Sequence, residues 1–250
     1  MYRVVIPARF ASARLPGKVL LPLAGRPMIQ WVHERAHAAN PAEVIIATDD
    51  ARIATAAGRF GADVAMTAAT HPSGTDRIAQ VARERGWGDA DIVVNVQADE
   101  PLIPSALIGQ VARLLDAHAW ADVATLVTAI SSTEEFLDPN VVKVVAGAQG
   151  RALYFSRAPV PWDRDGAALG PTQMSFAGAL RHIGIYAYRV AALHRLTALP
   201  PSALELRERL EQLRALEHGF AIHVATAAEA PGPDVNTPED LQRVGRLMGA

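Results

Sequence analysis

Arg9, Arg14 and Lys18 follow directly on the hydrophobic run Tyr2–Ala8, and no acidic residue precedes Glu34. Pro16 and Gly17 set a turn between the second and third cations. Positive charge gathered in a loop behind a strand suits a polyphosphate. One phosphate–cation contact at about 4 Å is worth roughly 4 kcal/mol at an effective dielectric near 20. Three converging cations would also offset the charge that builds on a leaving pyrophosphate. The competing reading is a solvated basic loop paired with distant acids.

Two common phosphate cradles are excluded. A P-loop needs G-x-x-x-x-G-K-[ST]; here Ser12 stands where the first glycine belongs and Val19 follows Lys18. A dinucleotide fingerprint needs three glycines and the loop has one. Lysine itself is informative: of 24 basic residues only Lys18 and Lys143 are Lys. A compact ammonium acts as a point charge on phosphate where guanidinium is a planar fork.

The complementary chemistry lies in NVQADEP, where Asp99 and Glu100 follow a buried run. A carboxylate there can hold a hard cation such as Mg²⁺ through oxygen, or it can cap the next helix. Cations, a carboxylate and a nucleoside triphosphate suggest nucleotidyl transfer, in which a hydroxyl attacks the α-phosphate in line and pyrophosphate leaves.

The elements that must hold these groups read as alternating strands and helices. Strands are expected at Tyr2–Ala8, Glu43–Thr48, ADVAM, DIVVNV and DVATLVTAI. Helices are expected at Pro27–Ala39, at Asp49–Phe60 with Gly61 closing it, from a cap at Ser73 or Thr75 to about Arg85, and at Pro104–His118. The order predicts an α/β fold with a mainly parallel sheet, whose ligands sit outside the carboxyl ends of the strands. After about Thr133 the pattern changes. VVKVV and ALYFS read as a hairpin, WDRDGAALGPTQ as a polar loop and RHIGIYAYRV as a long strand. Leu204–His218 reads as one helix with Leu206, Leu210, Leu213 and Leu216 on one side, AIHVATA as a strand and TPEDLQRVGRLM as a final helix. The expected division is a nucleotide-binding core over 1–132, an inserted sugar-binding or dimerisation part over 133–190, and a return to the core over 191–250.

Composition sets the outer bounds. The 250 residues are 50% hydrophobic and 20% charged, enough for a sizeable core. A formal net charge of −2 argues against a nucleic-acid footprint. No apolar run reaches the roughly 18 residues that cross a bilayer, and no signal-peptide pattern opens the chain. The absence of cysteine excludes disulfides and thiolate metal sites. The expected compartment is the cytoplasm, with no membrane insertion.

IPARFASARLPGK, ATDD, HPSGTDR, NVQADEP, DPNVVKVV, ALYFSRAPVPWDRD, RHIGIYAYR, LEQLRALEHG and NTPEDLQRV together span nearly the whole chain. Collectively they resemble the 3-deoxy-manno-octulosonate (Kdo) cytidylyltransferase family. The first is shared with several sugar nucleotidyltransferases; ALYFSRAPVPW and HIGIYAYR are far more specific. The resemblance implies a Rossmann-like nucleotidyltransferase fold with a smaller inserted α+β part. It implies Mg²⁺-dependent formation of CMP-Kdo and pyrophosphate from CTP and Kdo, for lipopolysaccharide synthesis, by a cytoplasmic homodimer. It places CTP on Ala8, Arg9, Arg14, Lys18, Ser73, Gly74 and Gln97, with Ser73 and Gly74 near the cytosine. It places the sugar acid on Gln97, Arg157, His182, Tyr186, Glu211 and Gln212. Lys18, Asp99 and Asn236 are the implied catalytic residues, and Asp99 and Asn236 the implied metal ligands. His182, Tyr186, Glu211 and Gln212 also have plain structural readings, as a strand hydrogen-bonder, a sheet face and polar helix positions.

Two positions depart from the family pattern. Asn236 stands where the family usually has the second metal-binding Asp; its neutral carbonyl can still coordinate a cation but removes one negative charge. Ala98 stands where the family usually has Gly, a change costing on the order of 1 kcal/mol if that backbone needs a positive φ. The departures leave two alternatives to an ordinary Kdo enzyme: a cytidylyltransferase for another sugar acid, such as an amino-substituted one, and a nucleotide-binding protein with little catalysis.

Overall fold

The computed structural model describes residues 1–11, 15–170 and 173–249. The first half builds β1 (Tyr2–Ala8), β2 (Pro22–Leu23), β3 (Arg26–Pro27), α1 (Met28–Ala38), β4 (Val44–Thr48), α2 (Ala51–Arg59), β5 (Asp63–Met66), α3 (Gly74–Glu84), β6 (Ile92–Asn95), α4 (Ser105–Asp116) and β7 (Val123–Ala129). The second builds α5 (Thr133–Leu137), β8 (Lys143–Ala146), β9 (Ala152–Ser156), α6 (Arg164–Leu169), β10 (Leu180–Arg189), α7 (Val190–Thr197), α8 (Ala203–Glu208), α9 (Glu211–Glu217), β11 (Ile222–Thr226) and α10 (Pro238–Leu247).

The main sheet runs β11-β7-β10-β6-β1-β4-β5. β1 pairs in parallel with β4 and β6, β4 with β5, and β11 with β7. Because strand side chains alternate between faces, the central strands are apolar on both sides. Val4, Ile6, Val94 and Val96 pack under α1, α2 and α4; Val5, Ile45 and Val93 pack under α3, α7 and α9. Each fully buried Val or Ile contributes roughly 1.5–3 kcal/mol.

β10 departs from the expected division. It lies between β6 and β7, antiparallel to both, and carries the β8–β9 hairpin on its first residues through Leu180 and Arg181. Residues 180–189 therefore belong to the core sheet and not to an inserted part. Ile183, Ile185 and Ala187 fill one face of that core while Tyr186 and Tyr188 close the other. The antiparallel direction has a functional consequence. The start of β10, the exits of β1 and β6 and the segment after β11 all reach the same edge of the sheet.

The helix expected over Leu204–His218 is two helices. α8 ends at Arg209, which takes a left-handed φ of 55°, and α9 begins two residues later. No glycine or proline marks the break. Side-chain contacts impose it instead: Glu205 of α8 forms paired bonds to Arg214 of α9 at 2.6 and 2.7 Å. Glu208 turns back to accept from Ser156 Oγ and the Arg157 N–H. Within the expected polar loop, residues 164–169 form the short helix α6.

Candidate active site

Gly17 creates the geometry of the basic loop. Its φ is +68°, and a Cβ there would come within 2.9 Å of the Phe10 ring, so only glycine fits. The turn leads into a 3-10 segment, Lys18–Leu20, anchored by buried Val19. Lys18 Nζ donates to Asp99 Oδ2 at 2.6 Å, to the Val235 carbonyl at 3.0 Å and to Asn236 Oδ1 at 3.1 Å. Three oxygens from two distant segments thus converge on one cation. Backbone docking maintains the convergence, since Val235 N–H donates to the Asp99 carbonyl at 2.9 Å. Asn236 Nδ2 donates to Asp234, which fixes the amide with its oxygen toward Lys18. Capping of α10 at Thr237, with Asp240 returning the bond, holds this turn in place.

Arg9, Lys18, Gly74, Gln97 and Asp99 line a cavity of about 250 Å³. Arg9 reaches across it to donate to the Pro72 carbonyl at 2.9 Å. Ala8 is buried in the core, leaving only its backbone for a ligand. Arg14 lies outside the described residues. Ala98 is not among the residues at positive φ, so its methyl carries no conformational penalty.

A second cavity, of about 270 Å³, adjoins the first and shares Gly74 and Gln97 with it. Ser73, Tyr186, Glu211 and Gln212 line it, so the positions expected near the cytosine and four of those expected around the sugar acid meet there. Ser73 caps α3 in a reciprocal box with Asp76, and Thr75 donates to Glu211. Burial pushes the Glu211 carboxyl upward against those hydrogen bonds, and the Tyr186 phenol upward as well. The break after α8 is what turns Glu211 and Gln212, the first residues of α9, into this cavity.

Two expected sugar-binding residues stand apart from it. The Arg157 guanidinium donates to the carbonyls of Glu208 at 2.6 Å and Pro139 at 2.9 Å. The His182 ring packs between Phe155 and Tyr186, with centroids 5.3 and 5.1 Å away. Its Nε2 lies 2.9 Å from Thr125 Oγ1, whose single proton faces the Ile185 carbonyl at 2.7 Å. Nε2–H is therefore the donor. Burial drives the His182 imidazole down to about 3, so it stays neutral through the physiological range.

A depressed histidine makes the fold acid-sensitive. Below about pH 6.5 the unfolded chain binds the proton and the folded one does not, so stability present above that pH is lost as pH falls toward 3. Between pH 7 and 5, His182 should account for about 1–2 kcal/mol of lost stability. His182→Gln, which can still donate to Thr125, should show a shallower loss in thermal melts over that range. Parallel pH slopes for the two proteins would refute a buried neutral imidazole.

Sequence reasoning passed over Asn95, took Thr75 only as a candidate helix cap, and passed over Tyr188 and Asp234. The first two lie in NVQADEP and HPSGTDR, and strand alternation puts Asn95 on the same face as Gln97. Nothing local marks Asp234, whereas Tyr188 follows Tyr186 by two residues in RHIGIYAYR, and strand alternation puts both on one face. Lys143, the other lysine, is fully buried and donates to the carbonyls of Asp138 at 2.8 Å and Val141 at 2.5 Å; it ties a turn. His71 orders the loop before α3 through Gln80 at 2.5 Å.

A cationic cavity joined to a hydroxyl-rich one at the carboxyl edge of a mainly parallel sheet defines a sugar nucleotidyltransferase of the Rossmann-like α/β class. Residues 3–223 match the Cytidylyltransferase family. Relatives named 3-deoxy-manno-octulosonate cytidylyltransferase include those of Thioalkalivibrio sulfidiphilus, 56% identical over 100% of this chain and 99% of its own, and Cellvibrio japonicus, 56% identical over 99% and 98%. A solved structure of a CMP:2-keto-3-deoxy-manno-octonic acid synthetase complexed with CTP superposes with a TM-score of 0.89 at 43% identity, covering 100% of this chain and 99% of that one. The chain belongs to the 3-deoxy-manno-octulosonate cytidylyltransferase family.

Proposed function

We propose that the protein transfers the cytidylyl group of CTP to Kdo, giving CMP-Kdo and pyrophosphate. The observation that carries this is the pair of adjoining cavities, one lined by Arg9 and Lys18 and the other by neutral hydrogen-bonding groups and Glu211, sharing Gln97 and Gly74. The triphosphate fits the cationic cavity and the sugar acid the other. The attacking sugar hydroxyl then meets the α-phosphorus beside Gln97. A phosphorus–oxygen bond forms to the sugar, whose hydroxyl gives up its proton to solvent, as the α-phosphorus bond to the bridging oxygen of the β-phosphate breaks. Arg9 and Lys18 offset the charge released onto pyrophosphate. Gly74 packs closely on Pro7 at the junction, where a Cβ would stand 3.1 Å from the proline ring.

The donor set suits a divalent cation. Asp99 Oδ2 and Asn236 Oδ1 already converge on the Lys18 ammonium, and Mg²⁺ is typically bound through one or two protein oxygens with substrate phosphates supplying more. Asp99 and Asn236 would hold it, where it would lower the charge on the phosphates. Among the described residues no cluster of three or more His, Cys, Asp or Glu forms a protein-only metal cage. Family membership also supports a homodimer that works in the cytoplasm and supplies CMP-Kdo to lipopolysaccharide synthesis. No described helix is long and apolar enough to cross a membrane.

A pyrophosphate-release panel of four nucleoside triphosphates against several sugar acids tests the assignment. Release is expected with CTP and Kdo, and expected to stop when Mg²⁺ is chelated. Release only with a different sugar acid would overturn the substrate. Thermal stabilisation by CTP without turnover under any pairing would overturn the enzyme.

A further inference from the structure

Asn95 is 3% exposed, yet it lines the hydroxyl-rich cavity. It ends β6, paired in register with Val5 on one side and Tyr186 on the other. Strand alternation turns Val94 and Val96 to one face, and Asn95 to the other with Gln97. Its Oδ1 is buried and has no hydrogen-bond partner among the described residues. An unpaired amide oxygen inside a sheet costs stability, while Val5, its register partner on β1, and Val93, two residues back on the same face, are both apolar core residues. A free amide at the floor of a cavity walled by Tyr186, Glu211 and Gln212 has the chemistry of a hydroxyl-recognition group, able both to donate and to accept.

We propose that the Asn95 carboxamide is a specificity-determining contact to a hydroxyl of the sugar acid. The selectivity follows from burial. A sugar that presents the hydroxyl satisfies the amide, while one that lacks it leaves a buried polar group unpaired, and such sites discriminate strongly.

Because this rests on the sugar-acid reading of the cavity, the experiment separates the two. Asn95→Leu removes the amide and keeps the branched shape, with two methyl groups in place of the amide oxygen and nitrogen. It should raise KM for Kdo by about 10- to 100-fold, leave KM for CTP within about twofold, and leave the thermal midpoint unchanged or higher. Kdo should also lose its stabilising effect in melts run without nucleotide. If Asn95→Leu does not fold, Asn95→Ala should give the same split between the two KM values. An unchanged KM for Kdo in a folded variant would overturn the role of Asn95 while the cavity reading stands. Absence of turnover with Kdo in the unaltered protein would overturn the cavity reading itself.

Discussion

Replacing Lys18 with Ala is expected to cut turnover by about 10²- to 10³-fold, the range seen when one preorganised donor to a developing negative charge is removed. Lys18 Nζ is half-buried and held by three oxygens, which keep the ammonium beside the cavity; a metal at Asp99 and Asn236 would free it toward the phosphates. Preorganisation is what makes such a group catalytic: its charge need not be drawn from solvent as pyrophosphate leaves. The same bonds tie the loop after β1 to the segment after β11, so the variant should also melt lower. The two effects are separated by assaying well below the variant's melting point with saturating CTP. Turnover within twofold of the unaltered protein under those conditions would reject the phosphate role of Lys18.

Asp99→Asn should be comparably damaging, lowering turnover by about 10²-fold or more and raising the Mg²⁺ concentration needed. Of the three oxygens around the Lys18 ammonium, only Asp99 Oδ2 belongs to a carboxylate. With Asn at 236, this one side chain supplies the formal charge of that contact. Asn236→Asp adds a second carboxylate and should keep or raise activity while lowering the Mg²⁺ requirement. Its gain is limited, because Asn236 Nδ2 donates to Asp234 and the single variant sets two carboxylates against each other. The exchange Asp234→Asn with Asn236→Asp avoids that repulsion and should lower the Mg²⁺ concentration for half-maximal rate by about tenfold, equivalent to roughly 1.4 kcal/mol. A large loss of turnover in the exchanged protein would show that position 236 is not a metal ligand.

The α/β order, the basic loop, the NVQADEP turn and most strands and helices were legible in the chain because they depend on local facts. Apolar periodicity, the cap at Ser73 and the turn at Gly17 act over a few residues. The residues proposed to carry the nucleotide chemistry lie within such short motifs. What the sequence could not disclose are arrangements set by contacts between distant segments. The break at Arg209 has no local signal, since pairing of Glu205 with Arg214 and the return of Glu208 to Ser156 produce it, yet it aims Glu211 and Gln212 at the second cavity. The insertion of β10 between β6 and β7 is likewise a choice of partner, which alternation along one strand cannot specify. The unsatisfied amide of Asn95 exists only once three strands and α9 enclose it. Side-chain type and spacing determined the chemistry available to this protein; packing across the sheet decided which of those groups share a cavity, because burial and pairing belong to neighbours in space.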